Sequence, residues 1–341
     1  MIKRFLAGAA LGAFFLWYAL RDVAFGDLAV HLGRVSLGWF GLFVLMHIGI
    51  LGIRALRWSA LVRPVAAVPA RRLLSPLAIG FMINFIFPAR AGEIVRVWLL
   101  GRAERVSASA AFGSVVVERL CDVFTMLCLV AMAPFFLEEN APGLLAELWW
   151  IAPLLFAGYL AAVAALFMLG HHRGALEAFL GRHSFVQRRP FLVRLANLVV
   201  KFAEGLTVLK SFRQVTIAIG LSFVLWGWGG LANLLMLHAF GLDLPVFAPY
   251  LILMLQAAAF LVPTPGALGP FQIAHLVALR DVYHCQQSEA LAIALLMHAG
   301  LFVAVLVPDF WFAAREHLGV SELTQATKTD ADKKPSLPTR E

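Results

Sequence analysis

Six ionisable residues, three arginines and three acids, lie close together in the sequence, and their types suit the recognition of a phosphate group. Glu118 and Asp122 are four residues apart, so on a helix they share one face, and Arg119 is three residues from Asp122 and can pair with it. Arginine forms paired hydrogen bonds to phosphate through its planar guanidinium group. The alternative is a buried salt-bridge network that only fixes neighbouring segments to each other. The candidate residues are Arg90, Glu93, Arg96, Glu118, Arg119 and Asp122.

These charges interrupt an unusually apolar chain. Of its 341 residues, 61% are hydrophobic and 14% are charged, and the mean hydropathy is +0.84. Soluble domains carry about 25% charged residues, so the composition excludes an ordinary soluble enzyme. The apolar residues also form blocks about as long as the roughly 20 residues that a helix needs to span a bilayer. Charged groups within such blocks are costly, and they indicate a functional site.

The apolar blocks predict an all-α polytopic membrane protein with about six full transmembrane helices plus two oppositely oriented re-entrant helical hairpins. The hairpins are predicted at about 73–101 and 247–280, where each apolar half is short and a Pro/Gly-rich segment lies between them. The six spans are predicted at Phe5–Leu20, Leu37–Ile53, Ser107–Leu137, Leu148–Gly170, Val215–Phe240 and Leu291–Phe312.

The two hairpin tips share a Pro-x-x-x-Gly pattern, Pro88 to Gly92 in the first and Pro265 to Gly269 in the second, with Pro263 just before it. Interrupted helices at corresponding places in two halves predict an inverted repeat with a site near the bilayer midplane. Their free backbone N–H groups and positive helix ends would favour an anion.

Loop charges predict the orientation of the chain. Residues 54–72 contain five Arg and no acid, and residues 171–213 contain eight Lys or Arg against two Glu, so both are expected on the cytoplasmic side. The 171–213 segment is either an interfacial amphipathic helix or a helix packed under the bundle. Arg54, Arg57 and Trp58 are interpreted as anchors at a helix end. Both termini are expected in the cytoplasm, with a disordered tail at 319–341 after a single domain over 1–318.

No cofactor or metal site is expected. The three cysteines are scattered and form no CxxC motif, and the adjacent His171 and His172 lie in a basic loop. The net charge of +8 is attributed to cytoplasmic loops and lipid surfaces, not to nucleic acid.

Four segments resemble one known family. Asn84–Arg96, Gly113–Asp122, Arg54–Trp58 and the tip from Pro265 and Gly266 to Gly269 are similar to the signature of the lysylphosphatidylglycerol synthase transmembrane-region family, also called flippase-like domain proteins. The resemblance covers roughly residues 1–318. It implies movement of a lipid between leaflets, and it adds Asn84 to the substrate-binding residues.

The chain departs from the family pattern in two ways. Ala267 and Gln272 stand where the family's second tip has a glycine and a glutamate, which puts proton or cation handling by that half in doubt. No aminoacyl-transferase domain follows the last span, so synthesis of the aminoacylated lipid is not expected.

The leading hypothesis is therefore a transporter in the bacterial inner membrane. It would move an anionic or headgroup-modified lipid, such as an aminoacylated phospholipid or a polyprenyl-phosphate-linked sugar, without catalysing a reaction. One alternative is a non-catalytic membrane partner of a glycosyltransferase or lipid-synthesis complex. Another is a membrane-embedded transferase that uses Glu93, Glu118 or Asp122 as a base.

Overall fold

The computed structural model describes residues 2–21, 23–86, 91–137, 142–172, 191–193 and 211–315, with a few single positions between 174 and 209. Every regular element in these ranges is helical, which confirms the all-α class. The helices are α1 Ile2–Leu20, α2 Phe25–Gly33, α3 Leu37–Val62, α4 Ala70–Ile86, α5 Gly92–Glu104, α6 Ala108–Met132, α7 Pro134–Leu137, α8 Pro142–His171, α9 Phe212–Ala239, α10 Ala248–Ala259, α11 Pro270–His275 and α12 Gln287–Arg315. A 3-10 turn at Pro265–Ala267 precedes α11, and a π-helical segment at Leu276–Val282 follows it.

Four of the described helices are long and apolar enough to cross a membrane, namely α3, the described part of α8, α9 and α12. The bent pair α1 and α2 would make a fifth. Helix α6 has 25 residues, enough to span, but it carries Glu118, Arg119 and Asp122 near its middle. A multi-pass membrane protein is thus supported, while six spans and the membrane orientation stay predictions.

The same order of elements occurs twice along the chain. A long helix is followed by a pair of short helices and then by another long helix, first as α3, α4, α5, α6 and then as α9, α10, α11 with its π-helical extension, α12. The leading helices of the two groups, α3 and α9, pack along each other more extensively than any other described pair. This arrangement is the one expected of two repeats, although their inversion relative to a membrane stays a prediction.

The first helical pair is held by a close backbone approach between α4 and α5. A Cβ atom on Gly80 would lie 2.9 Å from the carbonyl oxygen of Gly92 and 3.0 Å from the Cβ of Arg96. Only glycine at these positions permits such a short separation. Asn84 reinforces the contact, because its Oδ1 accepts a hydrogen bond of 2.8 Å from the Gly92 N–H.

The second pair has a different tip. The chain leaves α10 at Ala259, forms the 3-10 turn and enters α11 through Gly269, whose φ of 89° lies in the region that favours glycine. The Gly269 N–H donates to Gln272 Oε1 at 2.8 Å. The tip packs against α1, where a Cβ on Gly8 would lie 2.6 Å from the Pro263 carbonyl oxygen.

Several sequence predictions fall on segments outside the described residues. These are Pro88 and Arg90 in the first tip, most of the basic segment 171–213, and the tail 319–341. The domain boundary at 318 also lies there and stays a prediction.

Candidate functional site

A buried arginine of α3 connects three helices at the centre of the charged cluster. Arg57 is 1% exposed, and its Nη1 donates to Asp122 Oδ1 at 2.5 Å and to Ser222 Oγ at 2.8 Å. Its Nη2 donates to Glu118 Oε1 at 3.1 Å. Glu118 and Asp122 therefore lie on one face of α6, as their spacing predicts. Two carboxylates balance the charge of Arg57, which reduces the free-energy cost of burying its guanidinium group.

Two further arginines complete the network. Arg96 of α5 is 2% exposed and donates to Glu118 Oε2 at 3.1 Å. Arg119 pairs with Glu118, with Asp122 at 3.4 Å and with Glu93 at 3.7 Å. The predicted pair of Arg119 and Asp122 is thus confirmed. Among these side chains, Arg119 and Glu93 are the accessible ones, at 34% and 22% exposure.

Aromatic side chains surround the charges and fix their orientation. The Trp58 Nε1–H donates to Ser114 Oγ at 2.9 Å, and the Trp226 Nε1–H donates to Asp122 Oδ1 at 3.2 Å. The guanidinium carbon of Arg96 lies 5.1 Å from the Trp58 ring centroid, within the range of a cation–π contact. The network therefore has an aromatic wall on these sides.

The network opens onto a cavity of about 270 Å³. Its polar wall includes three arginines and two carboxylates, and its remaining wall is aromatic and aliphatic. Arg54 belongs to the polar wall but also contacts the aromatic wall, because its guanidinium carbon lies 4.1 Å from the Phe81 ring centroid. The lining residues are Arg54, Arg57, Phe81, Asn84, Phe85, Glu93, Arg119, Asp122, Leu225, Trp226, Ala257, Phe260, Leu301 and Val305.

The predicted site residues divide into two groups. Asn84, Glu93, Arg119 and Asp122 line the cavity, while Arg96 and Glu118 lie in the buried layer that supports it. In the second half, Pro263, Pro265, Gly266, Gly269 and Gln272 form the other tip and do not line this cavity.

The interpretation of Arg54, Arg57 and Trp58 as anchors at a helix end is wrong. Helix α3 does not end near Ile53 but continues to Val62, so these residues lie within it. Arg57 and Trp58 are 1% and 0% exposed, and Arg54 lines the cavity. The hydrogen-bond partners of Arg57 and Trp58 are contributed by α6 and α9, between 56 and 165 residues away along the chain.

A second polar cluster lies in the other half of the molecule, and its members are amides and imidazoles. Gln272 Nε2 donates to His298 Nδ1 at 2.9 Å, and the His298 Nε2–H donates to the Gly266 carbonyl at 2.8 Å. Asn233 donates to Gln256 at 3.3 Å, and Gln256 donates to His275 at 3.1 Å. Apart from Asn233 Oδ1, these buried groups satisfy one another, and the pair of Gln272 and His298 holds the second tip.

Within the described part of the chain, no three His, Cys, Asp or Glu side chains are placed to hold a metal ion. The cysteines Cys121, Cys128 and Cys285 are free thiols. The cavity itself is lined by guanidinium and carboxylate groups against a largely apolar wall.

Comparison with known proteins agrees with this picture. The family model described as the lysylphosphatidylglycerol synthase TM region matches residues 5–308. A UPF0104 membrane protein from Methanothermobacter thermautotrophicus is 27% identical over 246 residues, covering 66% of this chain and 70% of the relative. The glycosyltransferase AglD from Haloferax volcanii is 26% identical over 281 residues, covering 72% of this chain but only 44% of the relative. No solved structure matches the chain.

Proposed function

The chain belongs to the lysylphosphatidylglycerol synthase transmembrane-region family, and on that premise we propose that it moves a lipid with an anionic headgroup between the leaflets of its membrane. The observation that carries this proposal is the mixed wall of the 270 Å³ cavity. Guanidinium groups on one side suit a phosphate, and the aromatic and aliphatic residues opposite suit the lipid's apolar part.

The charge of the site favours an anion. Among the described residues, the cluster contains four arginines and three carboxylates, so it carries one excess positive charge unless Asp309, which lines an adjoining smaller cavity, is ionised; its members are Arg54, Arg57, Arg96, Arg119, Glu93, Glu118 and Asp122. An uncompensated charge in a low-dielectric interior is costly. A headgroup with one negative charge removes that cost, which favours its entry from the bilayer.

The geometry supports reversible binding without a chemical step. Arg119 is held by a short contact to Glu118, whereas its contacts to Asp122 and Glu93, at 3.4 and 3.7 Å, are at the long end for an ion pair, and its side chain is partly exposed. A phosphate oxygen can replace Glu93 on this guanidinium and leave again. Glu93 and Asp122 act in this proposal as orienting groups for the arginines, not as bases.

A leaflet-accessibility assay tests the function. Purified protein is reconstituted into phosphatidylcholine vesicles that contain labelled phosphatidylglycerol, and loss of label asymmetry is followed in wild type, Arg119→Ala and Glu93→Ala. Removing a charge-assisted hydrogen bond worth roughly 1.5–3 kcal/mol should slow movement roughly tenfold to hundredfold in Arg119→Ala. Glu93→Ala should also slow it, because Arg119 loses an orienting partner. Arg90→Ala extends the test to the predicted first tip.

Arg72→Ala is the matched control. Arg72 is also an arginine paired with a glutamate, Glu104 at 3.1 Å, but its side chain is 59% exposed and lies outside the cavity. The Arg72→Ala variant should move lipid at the wild-type rate. Equal rates of lipid movement in Arg119→Ala, Glu93→Ala and wild type would show that these residues do not form the headgroup site. A folded wild type that moves no lipid would favour the alternative, a non-catalytic partner of a lipid-synthesis or glycosyltransferase complex.

A further inference from the structure

A second, smaller cavity lies beside the first one and shares its wall. It has a volume of about 80 Å³, and Arg54, Phe81, Leu301 and Val305 line both cavities. The feature that sets it apart is Asp309 of α12, which is not among the predicted site residues. Asp309 is 3% exposed.

Asp309 is held without a polar partner. Its Oδ2 is buried and forms no hydrogen bond among the described residues. An isolated carboxylate in such surroundings is much more costly than a neutral carboxyl group. Asp309 therefore has two ways to avoid that cost: it binds a proton, or a cation comes to it.

Arg54 is the cation placed to do so. The nearest acid of α5 or α6 along the chain is Glu93, 39 residues away, and no ion pair joins Arg54 to any described carboxylate. Its guanidinium lies against the Phe81 ring at the boundary between the two cavities. A rotation of this long side chain would turn it from the larger cavity towards Asp309.

The charge state of Asp309 also decides the charge balance of the site. With Asp309 ionised, the four arginines of the cluster face four carboxylates, and the described buried charges sum to zero. With Asp309 protonated, one positive charge is in excess, and that excess is what an anionic headgroup would neutralise.

We propose that Asp309 is a proton-binding site that couples proton uptake to headgroup binding; this inference rests on the proposed function. When the headgroup is absent, Arg54 pairs with the Asp309 carboxylate. When a headgroup engages Arg54, Asp309 loses its counter-ion and takes one proton from water, forming an O–H bond. Departure of the headgroup returns Arg54 to Asp309, and the same proton is released to water.

The other groups around this cavity are few. Helix α3 contributes His47 and Arg54, α12 contributes Asp309, and α4 contributes the uncharged Phe81. His47 Nδ1 is already bonded to the Phe43 carbonyl at 3.0 Å, which leaves Nε2 as the position that could titrate. His47 is therefore the competing explanation for any pH dependence, and it must be tested beside Asp309.

The test uses the full chain in phosphatidylcholine vesicles containing labelled phosphatidylglycerol, with and without an imposed pH difference across the membrane. Coupling of one proton to one headgroup makes apparent affinity change by up to about tenfold per pH unit. The wild-type protein should therefore move lipid faster when the pH difference is imposed in one orientation than when it is imposed in the other. Asp309→Asn is neutral like the protonated acid, so it should move lipid in both directions without any effect of pH or gradient.

Two control variants make the result specific. Asp281→Asn removes an acid whose side chain is 46% exposed and lies outside both cavities, and it should keep the gradient response. His47→Gln should keep it too. The inference is overturned if Asp309→Asn still responds to the gradient, if the response disappears in His47→Gln instead, or if wild type moves lipid with no response. Wild type that moves no lipid at all would overturn the proposed function and this inference together.

Discussion

The two halves of the molecule use the same device at their helical tips but fill their interiors differently. In the first half, the side-chain amide of Asn84 accepts from the Gly92 N–H, and in the second, that of Gln272 accepts from the Gly269 N–H, both at 2.8 Å. Behind the first tip lies a network of arginines and carboxylates. Behind the second lies a chain of neutral amides and imidazoles.

The difference separates what the fold requires from what the proposed function requires. A neutral cluster is sufficient to hold a tip of this type, so the charges of the first half are not needed for that purpose. Buried ion pairs contribute little stability compared with apolar packing. We propose that their presence beside a cavity reflects the binding of a charged ligand, and that the second half supports the cavity structurally.

The largest expected effect on stability comes from removing the central arginine. Arg57→Met keeps a flexible, unbranched side chain but leaves Glu118 and Asp122 without their shared partner. Loss of one member of a buried ion pair costs about 3–5 kcal/mol. We expect a clear fall in the thermal unfolding midpoint of the purified protein in detergent.

Arg72→Ala is the stability control for that variant as well. Exposed pairs contribute about 0–1 kcal/mol, so its unfolding midpoint should stay close to wild type. If Arg57→Met unfolds no more easily than Arg72→Ala, the charged network does not hold α3, α6 and α9 together.

A smaller effect is expected in the neutral cluster. Gln272→Ala removes the acceptor for the Gly269 N–H and the donor for His298, and it leaves both groups buried. An unsatisfied buried group costs about 1–3 kcal/mol. Chemical denaturation should show a loss of that size, below the loss for Arg57→Met. A loss of unfolding free energy as large as that of Arg57→Met would mean that the neutral cluster contributes as much to stability as the charged network.

The smallest of these effects is expected for Asn84→Ala. The Asn84 bond to Gly92 is partly buried, and it satisfies one free N–H at the start of α5. Replacing such a side chain costs about 1 kcal/mol. Hydrogen exchange should increase at the first turn of α5 and remain unchanged at α11. Faster exchange at both tips would show that they are not held independently.

Short-range patterns in the sequence predicted the part of the site that depends on helical spacing. Glu118, Arg119 and Asp122 lie on one helix, and their three- and four-residue separations fixed their shared face and their pairing. The Pro-x-x-x-Gly pattern likewise marked the places where the helices break. Both signals are local, which is why a single sequence is sufficient for them.

Contacts between distant segments could not be predicted in the same way. Arg57 follows an apolar run, so it resembles an anchor at the end of a span, and its burial depends on carboxylates 61 and 65 residues later. His275 and His298 gave no sequence signal, because a lone histidine on an apolar helix has no fixed role. Asp309 did offer one, as a single acid within the apolar run Leu291–Phe312.

The most direct test of the account compares one variant from each half in the same transport assay. The rate of phosphatidylglycerol movement, normalised to folded protein, is measured for Arg119→Ala and for Gln272→Ala. We expect the first to be slowed roughly tenfold or more, through loss of a charged contact to the headgroup, and the second to retain a rate close to wild type. Equal slowing of both variants, or slowing of Gln272→Ala alone, would contradict the placement of the headgroup in the charged cavity of the first half.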